Sequence, residues 1–143
     1  MHVAHILKTK GSSVYSVTPE TSVADAIRTL SKRRVGALLA LRAGRELAGI
    51  LSERDIVHGL AEHGARLLEM RVDELMTRNV VSCASDDTVE DIMRQMTTRR
   101  VRHLPVIDDG ALAGMVSIGD VVKSRLEELA AESDALRSYI AGA

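Results

Sequence analysis

The chain has no phenylalanine and no tryptophan, and its only tyrosines are Tyr15 and Tyr139. Its core must therefore be aliphatic, and a planar ligand would lie between Val, Ile, Leu and Met side chains rather than against aromatic faces. A single cysteine, Cys83, excludes an internal disulfide and fits a reducing compartment. No apolar run approaches the roughly 18–20 residues that a membrane-spanning helix needs. Nor does the opening MHVAHILKTK place a charged segment before an apolar block, so no signal peptide is expected. Charge of either sign is not in excess: 19 basic against 20 acidic side chains leave a net of −1, with no polyelectrolyte signature for nucleic acid or a membrane surface. These absences predict a soluble, cytoplasmic protein that binds neither. At 143 residues and 45% hydrophobic, the chain can build one good core or two small ones sharing an interface.

What is present is a repeat. Shifted by 66, residues 14–44 lie over 80–110 with 10 of 31 positions identical, among them Val23, Asp25, Arg28, Arg33, Arg34, Val35 and Leu38. The offset then drops to 65, and residues 46–57 match 111–122 at 6 of 12 positions. Unrelated segments would agree at about one position in fifteen. The one-residue change falls beside Gly44 and Gly110, where a loop tolerates it. The chain is a duplicated unit.

Each copy reads the same way. A short β-rich run (residues 14–17; 80–83) precedes a polar turn, TPETS or ASDDT. A helix then opens with a capping box, Ser22-x-x-Asp25 or Thr88-x-x-Asp91. Its apolar face is Val23, Ala26, Ile27 and Leu30 in one copy and Val89, Ile92, Met93 and Met96 in the other, at i, i+3, i+4 and i+7. Two strands follow (residues 37–41 and 47–51; 104–107 and 112–116), each pair joined by a Gly-bearing turn. Arg33-Arg34 and Arg99-Arg100 close the first helices, where cations suit the dipole. Upstream, VAHIL at Val3 and VDELM at Val72 predict matching lead-in helices, the first followed by three extra residues in the small-residue stretch Lys10-Gly11-Ser12-Ser13. The only linker is the short, helix-prone EHGARLLEMR.

A second helix starts at Ser52-x-x-Asp55 in GILSERD and at Ser117-x-x-Asp120 in GMVSIGD. The ordinary structural account is another capping box: the Ser accepts a backbone N–H, and the Asp suits the positive end of the helix. Yet both copies keep Asp where Glu or Gln would also cap. A short carboxylate held there can accept two hydrogen bonds from a vicinal diol, as a ribose presents. It would repel a phosphate, so cations elsewhere must hold one. Gly119 leaves the start of the second such helix bare to an approaching ligand.

The order β-α-β-β-α, closed by GILSERD and GMVSIGD and with VRHLPVID at the second copy's middle strand, resembles the cystathionine-β-synthase (CBS) domain family. Two such repeats form a Bateman module. The resemblance implies an α/β fold of two pseudo-symmetric repeats packed sheet to sheet, residues 3–67 and 72–129, with a helical tail over 130–143. It leaves no stretch for a catalytic domain, so a stand-alone module is expected. It further implies nucleotide sites shared between repeats, with Ser/Thr-x-x-Asp on ribose and phosphate. Thr18 and Val35-Gly36-Ala37 would face Ser117, Gly119 and Asp120, while Ser52 and Asp55 would face Val81, Cys83 and Arg102-His103-Leu104. Aliphatic walls from Val35 and Leu104 suit the base. Thr18 supplies a hydroxyl that its counterpart Ala84 lacks, which favours the Asp120 site. Arg102 and His103 are the leading phosphate partners, one a permanent cation and the other titratable; Arg54 and Lys8 follow.

Two other patterns carry little. His2 and His5, three apart near a terminus, make a poor metal site, and Cys83 has no positioned base that would make it a nucleophile. The expected function is a non-catalytic sensor that binds an adenine nucleotide (AMP, ADP, ATP, NAD or S-adenosylmethionine) and regulates an unidentified target. The alternative is a structural or protein-interaction module with vestigial clefts. Finally, Val122, Leu126, Leu129, Ser133, Leu136 and Ile140 are spaced 4-3-4-3-4, a heptad-like seam. CBS modules commonly pair, so a homodimer clamped by this tail is expected, against a helix packed back on its own module.

Overall fold

The computed structural model describes residues 1–142, and Ala143, the last residue of the expected tail, lies outside them. The described chain divides into two compact units that do not follow the repeats in sequence order: residues 14–81 form one, and residues 1–13 with 82–142 form the other.

In the unit of residues 14–81, strand β1 (Ser16–Val17) runs parallel to β2 (Ala37–Leu41), which pairs antiparallel with β3 (Leu47–Ser52). Helix α2 (Val23–Arg33) makes the crossover from β1 to β2. Its spacing dictates its burial: Val23, Ala26 and Leu30 enter the core while Ile27 is half-buried. Ser22 caps α2 by accepting the Asp25 N–H, but the Asp25 carboxylate takes Arg28 (2.6 Å) rather than closing the expected box. Arg34 ends the helix in the left-handed conformation (φ 55°). After α3 (Glu53–His63), the linker is a packed 3₁₀ turn (Gly64–Glu69) that buries Leu67, and α4 (Val72–Leu75) places Val72 and Met76 in a core with Ala26, Leu30, Leu38, Ala40, Ala48 and Leu51.

The other unit repeats the plan with α1 (Val3–Lys10), α5 (Val89–Arg99), β4 (His103–Asp108), β5 (Ala111–Ser117) and α6 (Ile118–Gly142). Val89, Ile92 and Met96 are buried and Met93 half-buried, the same pattern as α2. Thr88 caps α5, and again the box stays half-made because the Asp91 carboxylate pairs with Arg94. Arg100 repeats the left-handed stop (φ 54°). The β4–β5 hairpin turns on Asp109-Gly110, both at positive φ, as a two-residue turn of the I′ kind requires. The strand expected over residues 80–83 is reduced to a single parallel bridge, Cys83 with Val106, so this sheet has two strands where its counterpart has three.

The lead-in segments explain why units and repeats differ. Val3 and Ala4 donate to the carbonyls of Asp87 and Ser85, and Val89 donates to Met1. Val72 and Asp73 donate to Thr21 and Pro19, and Val23 donates to Met70. These are the same three bonds at equivalent positions. Each lead-in segment therefore serves the unit built from the other repeat.

Candidate functional site

In the unit of residues 82–142, β5 ends at Ser117 and α6 begins at the next residue, so the Ser-x-x-Asp sits at the junction of strand and helix. The Ser117 N–H donates to Asp120 Oδ2 (2.9 Å) and the Asp120 N–H donates to Ser117 Oγ (3.2 Å), a closed capping box. Lys10, at the end of α1, donates to the same Oδ2 (2.7 Å) and to the Met115 carbonyl (3.1 Å). Burial, the largest single influence, pushes the Asp120 carboxyl up. The hydrogen bond and charge of Lys10 with the Ser117 N–H together outweigh it and hold the group below its ordinary value of 3.8. Strand register sets His103 opposite Ser117, and the Arg102 carbonyl accepts the Ile118 N–H (2.8 Å). Arg102 is exposed, whereas His103 is half-buried and engaged. Leu104, expected as an aliphatic wall, is wholly buried.

The unit of residues 14–81 has the equivalent site. Ser52 gives its N–H (2.9 Å) and hydroxyl (3.1 Å) to Asp55 Oδ2, and the Asp55 N–H returns to Ser52 Oγ (3.3 Å). Thr77 donates its hydroxyl to Asp55 Oδ1 (3.2 Å). Ala37 stands opposite Ser52, and the Gly36 carbonyl accepts the Glu53 N–H (3.0 Å). Arg54 is engaged and exposed. A cavity of about 720 Å³ opens beside Val35 and Gly36, walled by Ile27, Leu30, Ile56 and Val57.

The two carboxylates thus have different companions. Thr77 serves its site twice: its N–H donates to the Ile50 carbonyl (2.9 Å) and its hydroxyl to Asp55. Lys10 does both tasks with one ammonium, on Met115, which the repeat aligns with Ile50, and on Asp120. Neither residue was singled out in the sequence. By the repeat of the lead-in segments, Thr77 corresponds to Lys8. But α4 stops at Leu75 while α1 runs on to Lys10, so the lysine at the carboxylate is Lys10 and Lys8 stays exposed.

The remaining candidates fall as follows. Thr18 is exposed, with its hydroxyl 2.9 Å from that of Thr21. Val81 is half-buried, and Gly119 is exposed with room for a Cβ 3.7 Å from Ser117 Oγ. Cys83 joins the core: its N–H donates to Pro105, its carbonyl accepts from Ile107, and burial, then Asp87 and Asp108, push the thiol up to about 12. It presents no thiolate at neutral pH. Among the described residues no group of three His, Cys, Asp or Glu side chains could hold a metal ion.

The depressed Asp120 carboxyl makes a stability prediction. A carboxylate whose folded pKa lies below its unfolded one adds stability that is fully present above about 4 and is lost as pH falls through the folded value. Asp108, lowered by the Ser85 N–H and hydroxyl, acts in the same direction. The melting temperature should fall as pH drops below about 4, and Lys10→Met should flatten that fall. A wild-type profile that Lys10→Met leaves superimposable would mean that Lys10 does not stabilise the ionised Asp120.

Comparison with known proteins gives one family. The CBS domain model matches twice, at residues 3–62 and 72–127. The CBS domain-containing protein CBSX3, mitochondrial, of Arabidopsis thaliana is 34% identical over 98% of this chain and 72% of its own length. Other curated plant relatives are longer, this chain spanning 25% of one of them. A CBS-domain protein of Agrobacterium tumefaciens superposes with a TM-score of 0.85 at 42% identity, over 87% of this chain and 92% of that one. CBSX2, solved in complex with AMP, superposes with a TM-score of 0.72 at 27% identity, over 88% and 96%.

Proposed function

Because the chain belongs to the CBS domain family and carries two such repeats, we propose that it is a non-catalytic regulatory module that binds an adenine nucleotide at its Ser-x-x-Asp sites. The observation that carries this reading is the doubled placement of a short carboxylate at the junction of strand and helix, Asp55 and Asp120, each fixed by its own capping box. Such a fixed acceptor suits a ribose diol. The AMP complex of CBSX2 supports the ligand class. The residues do not choose among AMP, ADP, ATP, NAD and S-adenosylmethionine. Lys10 distinguishes the Asp120 site, because an ammonium beside the carboxylate compensates the repulsion a phosphate would meet there. Regulation follows from linkage: a ligand that binds one arrangement of the protein better shifts the population toward it, by no more than that difference in affinity.

A second reading has its own support. Both carboxylates are already satisfied as caps, and Asp55 accepts from Ser52 and Thr77. A structural or protein-interaction module needs nothing more. Thermal-shift screening with the five nucleotides separates the two, and mass spectrometry of what co-purifies with the native protein identifies the ligand. Incubation with the same nucleotides should yield no product. No described helix is long and apolar enough to cross a membrane; we place the protein in the cytoplasm on its lone, buried cysteine.

Arg102 is the proposed phosphate partner, exposed one residue before β4 beside the Ser117 junction. Arg102→Ala should weaken AMP binding about tenfold, as loss of a charge-assisted bond does, and leave adenosine nearly unchanged. Calorimetry with both ligands is the check. Equal losses would assign Arg102 another role.

A further inference from the structure

Helix α6 is 25 residues long, but only its beginning packs: Val121 and Ser124 are its buried residues, and side chains from 129 to 142 are all exposed. The alternative of a tail folded back on its own module is thereby removed, and no break separates the tail from the helix that precedes it. Leu126, Leu136 and Ile140 stand 62%, 60% and 66% exposed on one stripe with Val122 and Leu129. Fourteen residues of unsupported helix are marginal in water, where isolated helices shorter than about 12–15 residues scarcely hold. A stripe spaced 4-3-4-3-4 is the pattern that a second helix of the same kind covers.

The charges beside the stripe say which way that helix runs. With Leu126, Ser133 and Ile140 at a positions and Val122, Leu129 and Leu136 at d positions, Glu132 occupies g and Arg137 the following e. In a parallel pair, g of one helix faces the next e of the other, so Glu132 meets Arg137 of the partner subunit, and twofold symmetry makes the contact twice. An antiparallel pair with the same layers matched sets g against g and e against e. Glu132 would then face a second Glu132, and Lys123 would face Arg137. Like charges there are repulsive.

We propose that α6 is a homodimerisation element that pairs in parallel and in register with α6 of a second copy, held by the Leu126–Ile140 seam and by Glu132–Arg137 contacts across it. Two heptads make a short seam, so its free energy adds to that of whatever other surface the two copies share. Ser133 at the central a position meets its own counterpart, and a small polar residue there penalises shifted registers. The inference is independent of what the Ser-x-x-Asp sites bind.

Sedimentation equilibrium of the full chain at tens of micromolar should give a dimer; a monomer of 15.5 kDa would overturn the proposal. Glu132→Arg and Arg137→Glu should each weaken dimerisation, roughly 3- to 30-fold for two symmetric pairs turned repulsive. The double swap should restore it, and failure to restore would exclude the parallel register. Ser133→Cys reads the register directly: under mild oxidation it should give a covalent dimer, the buried Cys83 remaining silent. A dimer that does not cross-link, or one that Leu136→Asp leaves intact, would remove α6 from the interface.

Discussion

Asp120→Ala is expected to weaken AMP binding about 10- to 100-fold, the consequence of losing a charged acceptor worth about 1.5–3 kcal/mol to a ribose diol. Asp55→Ala should cost less. The structure gives a physical ground for that order. The ammonium at Asp120 offsets the charge that a nucleotide brings, while at Asp55 the neighbouring group is a neutral hydroxyl. The alanine also opens the cap of α6, so part of any loss is structural. Asp120→Asn separates the two effects: its amide oxygen can still accept the Ser117 N–H, but it lacks the full charge that a diol and Lys10 both use. Asn should therefore lie close to Ala in affinity by calorimetry. Its melting temperature should lie between those of Ala and wild type, because it keeps the cap but loses the Lys10 ion pair. Negligible affinity losses in all three variants, with stability losses in the alanines, would leave the caps as the whole purpose of the motif.

The parts of this arrangement that were legible in the sequence are local ones. Burial of Val23, Ala26 and Leu30, and of Val89, Ile92 and Met96, follows from helical spacing that needs no tertiary knowledge. The strand Ala37–Leu41 and the Ser-x-x-Asp junctions were legible for the same reason. The capping boxes at Ser22 and Thr88 were over-read, because arginines one helical turn on compete for Asp25 and Asp91. The strand at residues 80–83 was over-read too, since β-propensity does not guarantee a partner to pair with. Lys10 and Thr77 were missed because their roles depend on each lead-in segment serving the other repeat, a relation between residues about 110 and 22 positions apart in the chain. The trace it leaves in sequence is indirect: a Gly that opens both GILSERD and GMVSIGD.

That Gly makes the largest stability prediction. A Cβ at Gly49 would stand 2.7 Å from the Thr77 carbonyl oxygen and 2.7 Å from Met76 Sδ, and one at Gly114 would stand 2.8 Å from Leu7 Cδ2. In each unit the Gly lets the lead-in segment lie against the last strand, α4 with its following residues on β3 and α1 on β5. The obstacles differ in kind. Leu7 can turn its side-chain end away, but the Thr77 carbonyl is backbone, held by the Ile50 N–H at 3.0 Å. Overpacking of this kind typically costs about 1–3 kcal/mol. Gly49→Ala should sit at or above the top of that range, because relief requires moving the Thr77 strand pairing that also carries the hydroxyl to Asp55. Gly114→Ala should sit near the bottom. Urea denaturation at neutral pH measures both, with the difference read as a shift in midpoint at constant slope. Equal costs, or a costlier Gly114→Ala, would mean that β3 and α4 have slack that the 2.7 Å approach denies. If Gly49→Ala also lowers nucleotide affinity while Gly114→Ala does not, the seat of the lead-in segment and the Asp55 carboxylate are one mechanical unit.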